Sequence, residues 1–518
     1  MQYKALAAFL YITTPDSQNT LLCMVHLRHL LTFLLSLLLF PLLAQEPKQP
    51  VRLELPFDQE ATDADLMALP DSSLLLYHKV SDAWGTTATF NLTRYDHQLE
   101  RIWDDTFNIA PGSYFIRHFT EQPFTYMVFG EENSRHFTFV KVNYNTGQRQ
   151  HRRYNLDPVD AVYEFNVLQG NYFIIGRNSK DSKPVLLHLN TTAHKVELLP
   201  SVYGEESSFS DLLADPVHGQ ASAVLSESNG RISRLQVKSF NARGKLLSNH
   251  FMLQQEDKSL LHAEITPGDS SERMLLGSYS TRGVRASQGF FTTPVTVGVV
   301  EEEGHLYSLL QLKNFFKYLK PRQEARLRRR EAARLKSGKA PSYRYRLLLH
   351  DLITTPTGYI LAAEVYYPQY RSSSSNWAFD RTIPLGRQQD GYKRSHAVAL
   401  GFNRQGELLW DNAFPLKDLT TYQLVHALEL GYMPDGRVVM AYPRGEKIIY
   451  SIMHKDKFPD EETEITILTY EEDEKIQDTA WSGIIRWYGN SFAAYGFHRL
   501  KPKGAPPRTV FYINKVSF

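Results

Sequence analysis

The sequence is poor in cysteine: one thiol, Cys23, in 518 residues. A chain with a single cysteine has no internal disulfide, so its fold must be held by core packing. The motifs that would fix a reaction are missing as well. There is no H-E-x-x-H, no G-x-S-x-G, no phosphate-binding G-x-x-x-x-G-K-[ST] and no sialidase-type Asp box. Long apolar runs are scarce, and the one that stands out, Leu30 to Phe40, is too short to be a good membrane span. No low-complexity linker divides the chain into halves, which favours one modular architecture. Aromatic residues make up 12% of the chain, a content that excludes disorder over most of it.

Charge of one sign is scarce only on average. The formal net charge is +2, yet the stretch from Lys313 to Arg346 holds 13 Lys and Arg against 2 Glu, a surplus of +11. The rest of the chain therefore sums to 2 − 11 = −9. A strongly basic device sits on a mildly acidic body.

The apolar run has its own context. From Met24 the chain reads "MVHLRHLLTFLLSLLLFPLLAQEP": a basic start at Arg28, the Leu-rich run, Pro41, then Ala44 before polar sequence. This is the layout of a secretory signal over 24–44, with residues 1–23 read as an upstream start assigned in error. It predicts export to the periplasm, envelope or exterior. It also predicts no lipid anchor, because no cysteine follows the run.

Beyond it, short apolar runs recur just after turns: "SLLLYHKV" at 73, "FTYMVFGE" at 124, "NYFIIGRN" at 171, "ASAVLSES" at 221, "RMLLGSYS" at 273, "GYILAAEV" at 358, "RVVMAYPR" at 437 and "SFAAYGFH" at 491. Outside two longer gaps they are 47 to 54 residues apart. Hairpins follow them. "YDHQLERIWDDTF" from Tyr95 and "FNRQGELLWDNAF" from Phe402 match in length and place Trp103 and Trp410 at one offset. Four short antiparallel strands per period predict an all-β β-propeller of seven or eight four-stranded blades over 51–518. A pair of β-sandwiches explains the period less well. The strand "VRLELPF" from Val51 is placed to complete the last blade and close the ring.

The hairpins resemble those of quinoprotein-like propellers. The stretches "YRLLLHDLI", "LAAEVYYP" and "HAVALGFNRQGELLWDNAF" resemble an exported β-propeller-like family of Bacteroidota. That resemblance implies export and fold, and it carries no activity.

In a four-stranded meander the links between blades and the loops joining second to third strands share one face. Four irregular segments fall there: the basic stretch between the fifth and sixth blades, a loop from Pro368, "YEEDEKIQD" from Tyr470 and "RLKPKGAPPR" from Arg499. Long loops in a compact repeat are usually functional or disordered, so this face is the expected working surface.

The basic insertion, 305–341, reads as two helical halves. Leu309, Leu312, Phe316 and Leu319 fall near helical spacing and predict a docked apolar half. Pro321 then opens "RQEARLRRREAARLK", with Gly338 and Pro341 as its stop, a charged half projecting from the ring. Arg322, Arg326, Arg328, Arg329, Arg330, Arg334, Lys336 and Lys339 are its candidate binding residues. The partner they predict is a protein or an anionic envelope component, with no nucleic acid and at most peripheral membrane contact. The blander alternative is a solvated helix neutralised by "YEEDE".

A second candidate is the channel mouth. "LLHAEI", "LLHDLI" and "LVHALEL" place His262, His350 and His426 at the starts of three inner strands. Imidazoles from separate blades can ligate a metal, but a repeat fold also repeats its structural residues. The equivalent positions elsewhere, Asp65, Arg117 or His118, Glu164 and Ser210 or Asp211, make no symmetric ligand ring. No cofactor is therefore expected, and any metal would fall to the three histidines. The leading expectation is a non-catalytic binding or scaffold module. The alternative is a carbohydrate-active or metal-dependent enzyme using these histidines with carboxylates such as Glu264 and Asp351.

Overall fold

In the computed structural model, the described residues are 46–518 apart from 58, 60–62, 84–86, 133, 201–206, 253–257, 270, 282, 296–303, 372–387, 459–462 and 472–473. The signal-like segment lies outside them. The chain divides into two units. Residues 48–517 hold all the strands among the described residues; of the other unit, residues 1–47 with Phe518, only Glu46, Pro47 and Phe518 are described.

Eight antiparallel sheets follow one another along the chain. They span 64–109, 113–155, 159–198, 208–252, 259–308, 346–415, 429–466 and 475–517, and are blades 1 to 8 below. Blades 1 to 5 and 7 are plain four-stranded meanders. Blade 8 takes its outer strand from Arg52–Leu55, which pairs antiparallel with Arg508–Ser517 from Arg52↔Asn514 to Leu55↔Phe511. The protein is thus an eight-bladed β-propeller closed by its N-terminal strand, as the position of "VRLELPF" predicts. Arg52 reinforces the closure by donating to Asn514 Oδ1 at 2.7 Å and to the Leu468 carbonyl at 2.9 Å.

Second and third strands of each blade are apolar on both faces because a neighbour covers each side. Leu75, Phe90 and Phe107 of blade 1 pack against Met127, Phe129 and Val140 of blade 2. Leu66, Leu74 and Leu76 meet Phe497, Phe511 and Ile513 across the closing interface. Burying one such side chain contributes about 1.5–3 kcal/mol, so the repeated interface is the main source of stability. Tight hairpins supply the period, and Gly406 shows why glycine is needed. Its φ is +78°, and a Cβ there would lie 2.5 Å from Met274 Cε and 2.7 Å from Thr292 Oγ1 of blade 5.

Blade 6 departs from the pattern. Its inner strand is split into Arg346–Leu349 and Ile353–Thr355, and its middle strands run long, Gly358–Arg371 and Gln388–Asn403. They stay paired out to Arg371↔Gln388, so the ends of the segment expected to be a loop from Pro368 are strand extensions. Residues 372–387 between them lie outside the described set.

Candidate functional site

The insertion between blades 5 and 6 is docked along its whole described length. Its first half, expected as a helix, is a short strand, His305–Ser308, followed by turns. The apolar residues do dock, as packing rather than as a helical stripe: Leu309, Leu312, Phe315 and Phe316 are buried with Tyr343 and Tyr345 in the core between blades 5 and 6. Polar anchors fix the turn. The Asp411 carboxylate accepts from Lys313 N at 2.8 Å and Asn314 N at 2.6 Å, and Asn314 Nδ2 donates to the carbonyls of Asp411 and Asp456. Tyr318 stacks on His396 at 3.9 Å between centroids.

The second half is helix α1, Pro321–Lys336, opened by proline and closed before Gly338, whose φ is +70°. Leu327 packs against the core between blades 5 and 6, but the helix has no continuous apolar stripe to bury. It buries two glutamates instead. Glu331 is fully buried; its Oε2 accepts from Ser342 N at 2.7 Å and its Oε1 from Ser342 Oγ at 2.5 Å and Arg330 Nε at 2.9 Å. Burial alone would raise its pKa, but these donors hold it below the ordinary range. Glu324 accepts from Arg328 Nε at 2.8 Å, and the rest of that guanidinium donates to the carbonyls of Leu310, Leu312 and Lys313. Arg334 bonds the Ala340 carbonyl.

The charged half therefore lies back on its own docking turn instead of projecting. Among the eight basic candidates, Arg328 and Arg334 are anchors. Arg322, Arg326, Arg329 and Lys336 are exposed, and at 3.6 residues per turn they fall on the side opposite Glu324, Leu327 and Glu331, whereas Arg330 is exposed on the flank and bonded to Glu331. Lys339 is exposed just beyond the helix. From Arg322 to Lys336 the row runs about 21 Å. The "YEEDE" segment does not neutralise it in its described part: Glu474 pairs with Arg508 at 2.8 Å.

The channel is lined by inner strands. The paired positions Asp65↔Tyr77, Arg117↔Val128, Glu164↔Ile175, Asp211↔Val224, Glu264↔Leu276 and Glu429↔Ala441 place an ionisable residue on six of them. The pattern is acidic rather than histidine-based. Sequence reasoning missed Glu429 because the eye-catching histidine lies three residues earlier, before the strand Glu429–Tyr432 begins. His262 lies within its strand, and His350 follows the end of Arg346–Leu349. The three histidines thus differ in register, contrary to the expectation of related positions.

Most of these acids clasp neighbouring blades. Asp211 Oδ2 accepts from Ile265 N at 2.8 Å, Glu429 Oε1 from Arg486 N at 3.0 Å, and Asp65 Oδ1 from the Tyr495 hydroxyl at 2.7 Å. Glu364, a residue sequence reasoning did not single out, accepts from Ala427 N at 2.8 Å and Leu428 N at 3.2 Å. It also bonds His350 Nε2 at 3.1 Å and the buried Arg394 at 3.0 Å. His350 stacks on His426 at 4.0 Å, and His426 Nε2 donates to the Leu349 carbonyl at 2.7 Å. Burial and the His350 ring lower the His426 pKa to about 4, which keeps it neutral.

Glu264 stands apart. It is 7% exposed and has no hydrogen-bond partner among the described residues. Desolvation, then the fields of Asp211, Asp351 and Glu164, push its pKa well up. The same causes raise Asp211, and burial raises Glu429 to about 7. His262, which is solvent-accessible, has its pKa lowered by desolvation. Among the described residues no three His, Cys, Asp or Glu side chains are grouped to hold a metal.

The sequence matches no protein-family model and no curated protein. Solved structures similar in fold include the polysaccharide lyase Uly1, at 10% identity and TM-score 0.39 over 80% of this chain and 92% of that one. The β-propeller domain of the Trilobed protease from Pyrococcus furiosus, described as having an open velcro topology, is 7% identical with TM-score 0.27 over 78% and 94%. Prolyl oligopeptidase B from Galerina marginata is 8% identical with TM-score 0.39 over 86% and 56%. At these values the likeness is one of fold alone.

Proposed function

We propose that the protein is an exported, non-catalytic binding module whose helix α1 docks an anionic envelope component by its row of phosphate or carboxylate groups. One observation carries this reading. The helix spends both its glutamates, with Arg328, Arg330 and Arg334, on holding itself in place, and turns Arg322, Arg326, Arg329 and Lys336 outward together. A solvated helix needs no such sorting, because exposed pairs contribute only about 0–1 kcal/mol each. The outward row carries no aliphatic residue larger than Ala333, so contact is electrostatic and lost at high salt.

The test compares the protein with a variant carrying Gln at those four positions, against anionic vesicles, neutral vesicles and a soluble acidic polysaccharide. At about 1 kcal/mol per basic residue near an anionic surface, the variant should lose well over tenfold in affinity at low salt. Whichever anionic probe binds names the source. Equal binding by both proteins, or none by the parent to either anionic probe, refutes the reading.

A second reading is kept for one observation, the buried and unpartnered Glu264. A buried carboxyl whose pKa is raised by burial and by neighbouring carboxylates is what a general acid in glycoside hydrolysis needs. Hydrolysis of a glycoside panel that disappears in Glu264→Gln would establish it; the metal content of the purified protein checks the metal-dependent variant of that reading.

A further inference from the structure

The face of plain hairpins, opposite the insertion, carries a groove of about 520 Å³ between blades 2 and 3. Its size is that of a small-molecule site. Tyr126 and Phe139 of blade 2 and Tyr172 of blade 3 close its floor, each no more than 3% exposed. Half-buried Tyr154 stands at the wall. No aspartate or glutamate lines it. Glu121, bonded to three of the lining residues, is already committed: it accepts from Gln169 N at 2.6 Å, Gly170 N at 3.1 Å and the Tyr126 hydroxyl at 3.3 Å.

Two cations face this acid-free space. Lys141 Nζ lies 3.8 Å from the centroid of the Phe124 ring and 5.6 Å from that of Tyr126, and has no ion pair among the described residues. Arg152 lies over Tyr154 at 5.6 Å and donates to His194 Nε2 at 2.5 Å. That bond sets the tautomer. A guanidinium only donates, so His194 Nε2 accepts, the ring is neutral and its proton sits on Nδ1. His194 Nδ1, 3.2 Å from the Tyr154 hydroxyl, then donates to it, which leaves the phenolic proton of Tyr154 free for a ligand. The hairpin holding His194 is preset, because Asn190 Oδ1 accepts from Thr192 N at 3.0 Å and Ala193 N at 2.8 Å.

The groove therefore offers two unpaired cations and a free hydroxyl donor above an aromatic floor. Its rim carries Gln150, Gln169 and Thr192, which both donate and accept. Cations select an anion, the rim suits ring hydroxyls, and the floor suits the C–H face of a ring. We propose that this groove binds an acidic sugar unit, a hydroxylated ring bearing one carboxylate or phosphate. The site is independent of helix α1 and lies on the face that loop length marks as scaffold.

Titration of the full protein with glucuronate, glucose 6-phosphate, glucose and inorganic phosphate tests it. The expected result is saturable binding of one acidic sugar, with glucose and phosphate weaker by about tenfold or more. Lys141→Gln with Arg152→Gln should weaken it by about tenfold or more, and Tyr154→Phe by severalfold at unchanged unfolding temperature. The helix variant with four Gln substitutions should bind normally. The carboxylate and phosphate arms decide which anion the site prefers. Absence of saturable binding to both acids, glucose or phosphate alone binding as well, or unchanged affinity in the double variant overturns the proposal.

Discussion

Glu331 in the basic insertion and Glu264 at the channel are both buried glutamates, and they have opposite fates. Glu331 receives three hydrogen bonds and stays ionised below its ordinary range; Glu264 receives none and is pushed well above it. Burial is common to both, so burial does not decide ionisation. The donors and charges around the carboxylate do: Ser342 and Arg330 face Glu331, whereas Asp211, Asp351 and Glu164 surround Glu264. In the insertion the buried charge is structural, a peg that holds a cationic helix to the ring. At the channel the same side chain is left chemically unspent.

The largest effect that would break this contrast is at the peg. Glu331→Ala removes the acceptor of the Ser342 amide and hydroxyl and returns Arg330, 62% exposed, to water; hydrogen bonds to a charged group contribute about 1.5–3 kcal/mol. The loss should be local: faster amide exchange across 321–342, little change in the strands of blades 1 to 4. Uniform exchange changes across the ring would show that the insertion is not a separately anchored element.

The next effect is one of pH. Glu429 has its pKa raised from 4.5 to about 7, so the folded protein binds that proton more tightly than the unfolded chain. Its stabilising contribution is complete below pH 4.5 and is lost as pH rises through 7. Glu429→Gln should therefore leave stability unchanged near pH 4 and raise it at pH 8, by at most about 3 kcal/mol. Glu264→Gln should move the same way by the same sign argument. Glu331 runs in reverse: its contribution is present above its ordinary pKa and disappears as pH falls through its lowered one. Denaturant unfolding of the Gln variants at pH 4 and 8, with exchange at 321–342 followed as pH falls below 4.5, would show the two regions titrating in opposite directions.

Much of this was legible in the sequence, for physical reasons. Interfaces between blades demand the same apolar run every turn of the ring, so the fifty-residue period survives in "SLLLYHKV" and its relatives, and an unpaired "VRLELPF" points to a closing strand. The cations of the insertion were legible too. Their sorting was harder to see, because helix α1 docks through Glu324 and Glu331, residues that read as surface glutamates. The channel was misread for a different reason. Bulges, as between Phe209 and Asp211 or Leu260 and His262, shift register within the inner strands, so position in a motif does not fix which residue points inward. The groove between blades 2 and 3 leaves no signal, because Lys141, Arg152 and His194 come from three separate strands and hairpins that each look ordinary.

The smallest effect on stability sharpens the comparison most. Arg326 is exposed, lies on the outward side of α1 and has no ion pair among the described residues, so Arg326→Gln should change unfolding free energy by less than about 0.5 kcal/mol. Arg328→Gln, two residues on, removes the donors to Glu324 and to the carbonyls of Leu310 and Leu312, and should destabilise the insertion clearly more. If docking to an anionic surface is the role of the outward row, binding should respond in the other order per unit of lost stability, with Arg326→Gln weakening it at full fold. Paired unfolding and vesicle-binding measurements on the two variants separate a residue that holds the helix from one that the helix exists to present.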